Sequence, residues 1–307
     1  MTVLVVGDVV DDISVQPLAE VTPASDTPAT IRMAPGGSAA NVAAWLGSLG
    51  VPTRFVGRVG ADAVERHSAA LAGHGVDARL AGDPELPTAT ILLQLDEVGE
   101  RTMFVDRGAN ARLSPADVPA SAWDGVTWLH LTGYTFFDEG TRSTALGLVA
   151  QARARGAGVS IDPSTVSFLR ACGGAAFLDW VDGADLAFPN LDEARVLVDA
   201  RGPQIDLDRL AARFGGVVVT LGAMGAAFVG SLDGLEVREQ LTAPRTSVVD
   251  TTGAGDAFCA GFLSVWLARR AGFGTAGTND VRAALEAGRA TAERCIARRG
   301  ARPAPSP

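Results

Sequence analysis

The chain of 307 residues carries 26 basic residues, all of them arginine, against 35 acidic ones, a net charge of −9. That balance argues against nucleic acid or an anionic membrane as the main partner. The absence of lysine excludes a Walker A phosphate loop, a Schiff-base enzyme and a lysine general base.

Taken in chain order, residues 3–6 form an apolar, β-branched run that predicts a first strand, followed by a polar, proline-bearing stretch over 13–32 with no helical period. A helix is predicted over 39–49, a strand over 53–56 and a helix over 61–72. Residues 89–104 alternate as two strands joined across 96–100, the pattern of a hairpin with a glycine-containing loop. Strands are then predicted at 126–131, 159–161, 185–188 and 217–220, with helices at 140–155, 191–199 and 207–214 between them. The last third reads as two helices, 256–271 and 280–298, with a frayed proline-rich tail from Pro303. This alternation predicts βαβ units and a mainly parallel sheet covered by helices on both faces. The segments near 13–35 and 88–106 break the alternation and are expected to form a small β lid inserted in a single domain spanning 1–307. Cys172, Cys259 and Cys295 are too scattered for a disulfide or zinc framework. With no signal peptide or apolar run of about 18 residues, a cytoplasmic location with no membrane partner is expected.

Two glycine clusters could carry chemistry. In the first, Gly36-Gly37-Ser38 precedes an Ala-rich helix, with Ser38 a candidate N-cap and Asn41 one turn in. On its own it reads first as a flexible turn before a closely packed helix; the functional reading is a close backbone approach to a ligand, with the Asn41 amide suited to vicinal hydroxyls. In the second, Asp250-Thr251-Thr252-Gly253-Ala254-Gly255-Asp256 opens an apolar helix. Successive small residues at a helix N-terminus let backbone N–H groups gather around an anion. A carboxylate at its edge, Asp256, reads either as an ordinary N-cap or as what phosphoryl transfer to an alcohol needs. Neither a dinucleotide fingerprint nor H-E-x-x-H occurs, and His67, His74 and His130 form no ligand cluster.

These residues resemble, over nearly the whole chain, the ribokinase-like (PfkB) carbohydrate kinase family. Both glycine motifs stand at the expected ends, and between them lie Gly7-Asp8, Asp11-Asp12, Gly108-Ala109-Asn110, Asp162-Pro163, Asn190-Leu191-Asp192-Glu193, Thr220-Leu221-Gly222 and Gly225, with Gly300-Ala301 after the second. The resemblance implies a three-layer α/β/α sandwich with a small β lid. The implied activity is ATP-dependent phosphorylation of a hydroxymethyl group on a small sugar or sugar acid, with a nucleoside kinase as the alternative. It further implies Asp256 as general base and an anion hole from Gly253, Ala254 and Gly255. Acceptor contacts would come from Asp12, Gly37 and Asn41, and nucleotide contacts from Asn190, Thr220, Gly222 and Gly225. Mg²⁺ would be organised by Asn190 and Glu193, although Asn-x-x-Glu also reads as a capping box. Potassium would sit near Asp250, Thr252 and Gly300, and a homodimer would form through the lid. The chain departs from the ribokinase pattern at Ser38 and Thr132, which leaves the acceptor open, and at Arg289 and Ala304, near the implied base pocket and potassium site.

Overall fold

The computed structural model describes residues 1–95, 101–202, 204–232, 234–271 and 277–304. In chain order, β1 (Thr2–Val6) is followed by β2 (Val10–Pro17), β3 (Ala29–Gly36), α1 (Ser38–Ser48), β4 (Thr53–Gly60), α2 (Val64–Ala72) and β5 (Val76–Asp83). Then come β6 (Ala89–Leu95), β7 (Arg101–Asp106), β8 (Val126–Thr132), α3 (Glu139–Ala154), β9 (Gly158–Asp162), α4 (Val166–Cys172), α5 (Gly174–Trp180) and β10 (Leu186–Ala187). The remainder is α6 (Leu191–Leu197), α7 (Leu207–Ala211), β11 (Gly216–Thr220), β12 (Ala226–Leu232), β13 (Leu235–Leu241), α8 (Ala254–Ala271) and α9 (Thr278–Ile296).

Nine strands form the main sheet in the order β13-β12-β11-β10-β9-β8-β1-β4-β5. The seven from β11 to β5 run parallel, and β12 and β13 add an antiparallel edge. The apolar runs are continuous because both faces are covered. Val3 and Val5 of β1 pack into the core with α1, α2, α8 and α9, whereas Leu4 and Val6 pack on the opposite side with α3–α7. Val218 faces the first layer, and Val217 and Val219 the second. The chain is thus an α/β/α sandwich, as expected.

The two segments that broke the alternation leave this sheet and pair with each other, in the order β3-β2-β6-β7. The first hairpin of this smaller sheet starts at Val10 and ends at Gly36, a little wider than the predicted stretch. It therefore takes in Asp11 and Asp12 as strand residues. The 96–100 connection lies outside the described residues.

Sequence reading missed β5, β12, β13, α4 and α5. Strand β5 is the outermost parallel strand, and its polar residues reach solvent and neighbouring arginines: Asp77 accepts from Arg54 at 2.7 Å. Its pattern is therefore too mixed for a covered strand. Gly173, with φ +86°, separates the short α4 and α5. The tail is not frayed from Pro303: Ala301, Arg302 and Pro303 are all buried.

Candidate active site

The sheet reverses its winding between β1 and β8, and a crevice opens there at the carboxyl ends of the strands. Asp8, just past β1, accepts hydrogen bonds from Ser38 N at 2.6 Å, Ala39 N at 3.1 Å and Thr132 Oγ1 at 3.0 Å. Its carboxylate thus holds the open N-terminus of α1. This corrects the expectation for Ser38. Gly37 occupies the cap position, and Ser38 Oγ donates instead to Asp256 Oδ1 at 2.7 Å.

The three acids near β1 have separate surroundings. Asp8 caps α1. Asp11 accepts from Arg66 Nη1 and Nη2 at 2.6 and 2.9 Å, with His67 Nε2 at 3.2 Å. Asp12 lies against the glycine turn: a Cβ built on Gly36 would fall 2.0 Å from Asp12 Oδ2. Burial raises the Asp12 carboxyl to about 7, opposed by Arg302 and reinforced by Asp8, Asp256 and Asp11. At Gly37 the backbone has φ +98°, and an added Cβ would come within 2.6 Å of the Asp8 carbonyl oxygen. The double glycine is therefore required by packing against these two acids, irrespective of any ligand.

Helix α8 begins at Ala254, and its first i→i−4 bond runs from Ala257 N to the Gly253 carbonyl at 2.9 Å. The amides before Ala257 thus lie ahead of the helical ladder, at the positive end of the dipole, and that of Ala254 also donates to the Thr251 carbonyl at 3.2 Å. Gly253 has φ +75°, and a Cβ there would meet Ala301 Cβ at 2.5 Å; a Cβ on Gly255 would meet nothing within 4 Å. Gly253 is thus fixed by the fold, whereas Gly255 faces open space in a cavity of about 220 Å³.

That cavity gathers Asn190, Glu193, Thr220, Gly253, Ala254, Gly255 and Asp256 from three separate stretches of chain. It also brings in Tyr134 and Asp162, to which sequence reading gave no definite role. Asp162 closes β9 at the same strand-end level as Thr132 of β8, opposite it in register, which is the signal that could have placed it. Asp256 faces the cavity and receives Ser38 Oγ on one oxygen and Asn41 Nδ2, at 2.9 Å, on the other. Burial pushes its carboxyl up to about 6, against the lowering pull of the Asn41 and Ser38 hydrogen bonds; Asp8 raises it and Arg302 lowers it. At neutral pH it is mostly ionised and still basic enough to take a proton. A carboxylate beside a preorganised anion cradle can deprotonate a hydroxyl as negative charge is transferred next to it.

The other predicted residues sit around this centre. Asn190 and Glu193 form a complete capping box: Asn190 Oδ1 accepts from Glu193 N at 2.9 Å, and Glu193 Oε2 accepts from Asn190 N at 2.9 Å. Glu193 is buried and raised to about 7, mainly by burial. Asp162 is raised by burial and by Glu193. Among the described residues neither acid has an ion-pair partner, and no cluster of three or more acidic, histidine or cysteine residues could hold a metal by itself. Two buried acids without a cation fit a divalent ion that takes its remaining ligands from water and phosphate oxygens. Gly222 and Gly225 form the turn between β11 and β12 and do not line the cavity. Asp250 ties the approach to α8 onto the turn after α9, accepting from Thr252 N at 2.9 Å, Thr252 Oγ1 at 2.7 Å and Gly300 N at 3.0 Å. Phe136, four residues past Thr132, is fully buried and packs edge-on against Phe177. No helix among the described residues is long and apolar enough to cross a membrane.

The model of the pfkB family carbohydrate kinases matches residues 2–307. A fructokinase of Klebsiella pneumoniae is 34% identical over 283 residues, covering 85% of this chain and 84% of that protein. An ATP-dependent ribose-1-phosphate kinase of Halopiger xanaduensis is 32% identical over 297 residues, covering 92% and 88%. The crystal structure of a probable sugar kinase from Rhizobium etli superposes with a TM-score of 0.84 at 26% identity, covering 98% of this chain and 94% of that one. An amide cradle with a carboxylate at its rim, in a fold and sequence shared along almost the entire chain, places this protein in the pfkB family of carbohydrate kinases.

Proposed function

We propose that the enzyme transfers the terminal phosphoryl group of ATP to a hydroxymethyl group of a small sugar, with Asp256 as general base. The observation that supports this best is the placement of Asp256 beside the Gly253–Gly255 amides in one cavity. Asp256 takes the hydroxyl proton, the new oxygen–phosphorus bond forms, and the bond to the β-phosphate oxygen breaks. ADP and the sugar phosphate leave, and Asp256 returns its proton to solvent. The amides of Gly253, Ala254 and Gly255 spread the charge on the group in transit.

At the acceptor end, Asp12, Gly37 and Asn41 would receive the sugar. Asp8, Asp12 and Asp256 stand there against Arg302 and Arg107, an acidic balance that favours an uncharged sugar over a sugar acid. Among fructose, ribose, 2-keto-3-deoxygluconate, sugar phosphates and nucleosides, coupled ADP-release assays should therefore give the highest kcat/KM with a neutral sugar. A preference for the acid, a phosphate or a nucleoside would reverse that assignment.

Thr220, Asn190 and the turn at Gly222 and Gly225 would hold the nucleotide. Mg²⁺ would be held through Glu193 and Asn190, where it would neutralise charge on the triphosphate. Potassium would lie by Asp250, Thr252 and Gly300, whose hydrogen bonds already brace the start of α8. Glu193→Gln should raise the Mg²⁺ concentration for half-maximal rate severalfold; an unchanged Mg²⁺ dependence would leave Glu193 as a helix cap alone.

The smaller sheet carries Asp12 on one face. Its other face presents a cross-strand row of Met33, Ile13, Leu92 and Phe104, in which Met33 is 69% and Phe104 58% exposed. We assign to this sheet the lid that excludes water, and to its apolar row the contact of a homodimer. A dimer that persists in sedimentation at low concentration, and is lost in Phe104→Glu, is expected; a monomer throughout would remove the contact.

A further inference from the structure

The tail after α9 places a guanidinium inside the acceptor site. Arg302 is 8% exposed, although it lies only six residues past the end of a terminal helix. The turn before it is clamped on both sides: Gly300 N donates to Asp250 at 3.0 Å, and the Ala301 carbonyl accepts from Trp45 Nε1 at 2.8 Å. From this fixed point Arg302 Nη2 donates to the Gly36 carbonyl at 2.8 Å, and Nε donates to Asn41 Oδ1 at 3.2 Å. Asn41 in turn donates through Nδ2 to Asp256 Oδ2 at 2.9 Å.

We propose that Arg302 is a positioning residue of this kinase, which acts through Asn41 to orient and ionise Asp256. The proposal rests on the reading of Asp256 as the base. An amide has one acceptor end and one donor end. Because Arg302 can only donate, it fixes Oδ1 of Asn41 toward itself and so aims the NH₂ at the carboxylate. Without it, Asn41 is free to turn its oxygen toward Asp256, which repels the carboxylate and releases it from one of its two donors.

The charge acts in the same direction. Asp256 faces Asp8 beyond β1, Asp12 on β2, Asp162 at the end of β9, Tyr134 after β8, Cys259 on its own helix and Cys295 on α9. Arg302 is the cation that acts on Asp256 itself, with Arg107 beside Asp8 and Tyr134 and Arg298 beside Cys295. Its own surroundings include Asp11, His67 and His74, with Arg298 also near His74. Burial lowers Arg302 itself to about 10, still charged at neutral pH. Nη1 has no hydrogen-bond partner among the described residues, so the group is held by charge as well as by its two bonds.

The test compares Arg302→Gln and Arg302→Lys with the parent. In Arg302→Gln the acidic limb of the kcat profile should move up by about one pH unit, the size expected when a nearby opposite charge is removed. Turnover at pH 7 should fall about twofold from the lost ionisation alone and further from the lost orientation of Asn41, with KM for ATP unchanged. Arg302→Lys keeps the charge and should leave the limb in place while kcat drops. A selective ¹³C titration of the Asp256 carboxyl should show the same upward shift in Arg302→Gln. That titration reads the effect of Arg302 without turnover, whereas an active Asp256→Asn would refute the base assignment on its own. An unmoved limb and an unmoved carboxyl titration, with equal loss of rate at every pH and a lower Tm, would make Arg302 a packing residue and overturn the proposal. If the glutamine variant does not fold, Arg302→Lys decides: an acidic limb or a carboxyl titration that moves although a donor and the charge are kept would overturn it.

Discussion

Asp256→Asn should lose about 10²–10⁴ in kcat while KM for the acceptor changes little. The substitution is nearly isosteric and keeps one oxygen to accept a hydrogen bond, so the pocket that receives the sugar survives and only the proton acceptor is gone. The fold should not suffer. Burial holds the Asp256 carboxyl at about 6, above its ordinary 3.8. The folded state therefore binds this proton more tightly than the unfolded chain, and that contribution to stability is present at low pH and is lost as pH rises through about 6. Above that pH the ionised side chain costs folding energy. Asp256→Asn should therefore melt no lower than the parent at pH 8, and the parent should lose turnover as pH falls below about 6. Steady-state kinetics with a melting curve on the same sample checks both; near-normal turnover, or loss of rate accompanied by unfolding, would contradict the assignment.

The glycines of the cradle should separate into two kinds. Gly253→Ala places a methyl group 2.5 Å from Ala301 Cβ at a residue with φ +75°. The left-handed backbone costs about 1–2 kcal/mol for a non-glycine residue, and overpacking adds about 1–3 kcal/mol. The methyl group also pushes on Ala301, whose carbonyl is held by Trp45. Both Tm and rate should fall, the rate by about 10² or more. Gly255→Ala meets no protein atom within 4 Å, so it should melt like the parent. Its methyl group projects into the cavity where the phosphoryl group is proposed to pass, and kcat/KM for ATP should fall about tenfold or more. Equal stability losses in the two variants, or a fully active Gly255→Ala, would disagree with this division.

The features legible in the sequence are those whose cause is local. Strand β1 and the run at Val217–Val219 read correctly because burial on both faces leaves a continuous apolar signature. The helix start at Ala254, with Asp256 in its first turn, was legible because a glycine-rich helix start is contiguous in the chain. The acids after β1 could not be assigned from spacing alone, because their neighbours come from distant segments. Asp8 meets Ser38, Ala39 and Thr132, Asp11 meets Arg66, and Asp12 meets Gly36. Ser38 looked like a helix cap until Asp8 was found to supply that function from 30 residues away. Arg302 was illegible for the same reason: a proline-rich terminus carries no periodic signal, and its partners lie 261 and 266 residues away in the chain.

The claim on which the mechanism depends is that a transferring phosphoryl group, the amides of Gly253–Gly255 and the carboxylate of Asp256 meet at one point. A crystal structure of the ternary complex with a non-hydrolysable ATP analogue and a neutral sugar measures this directly. The account predicts γ-phosphate oxygens within hydrogen-bonding distance of those amides and the acceptor hydroxyl within about 3 Å of Asp256. A terminal phosphate bound elsewhere, with Asp256 touching neither ligand, would contradict it.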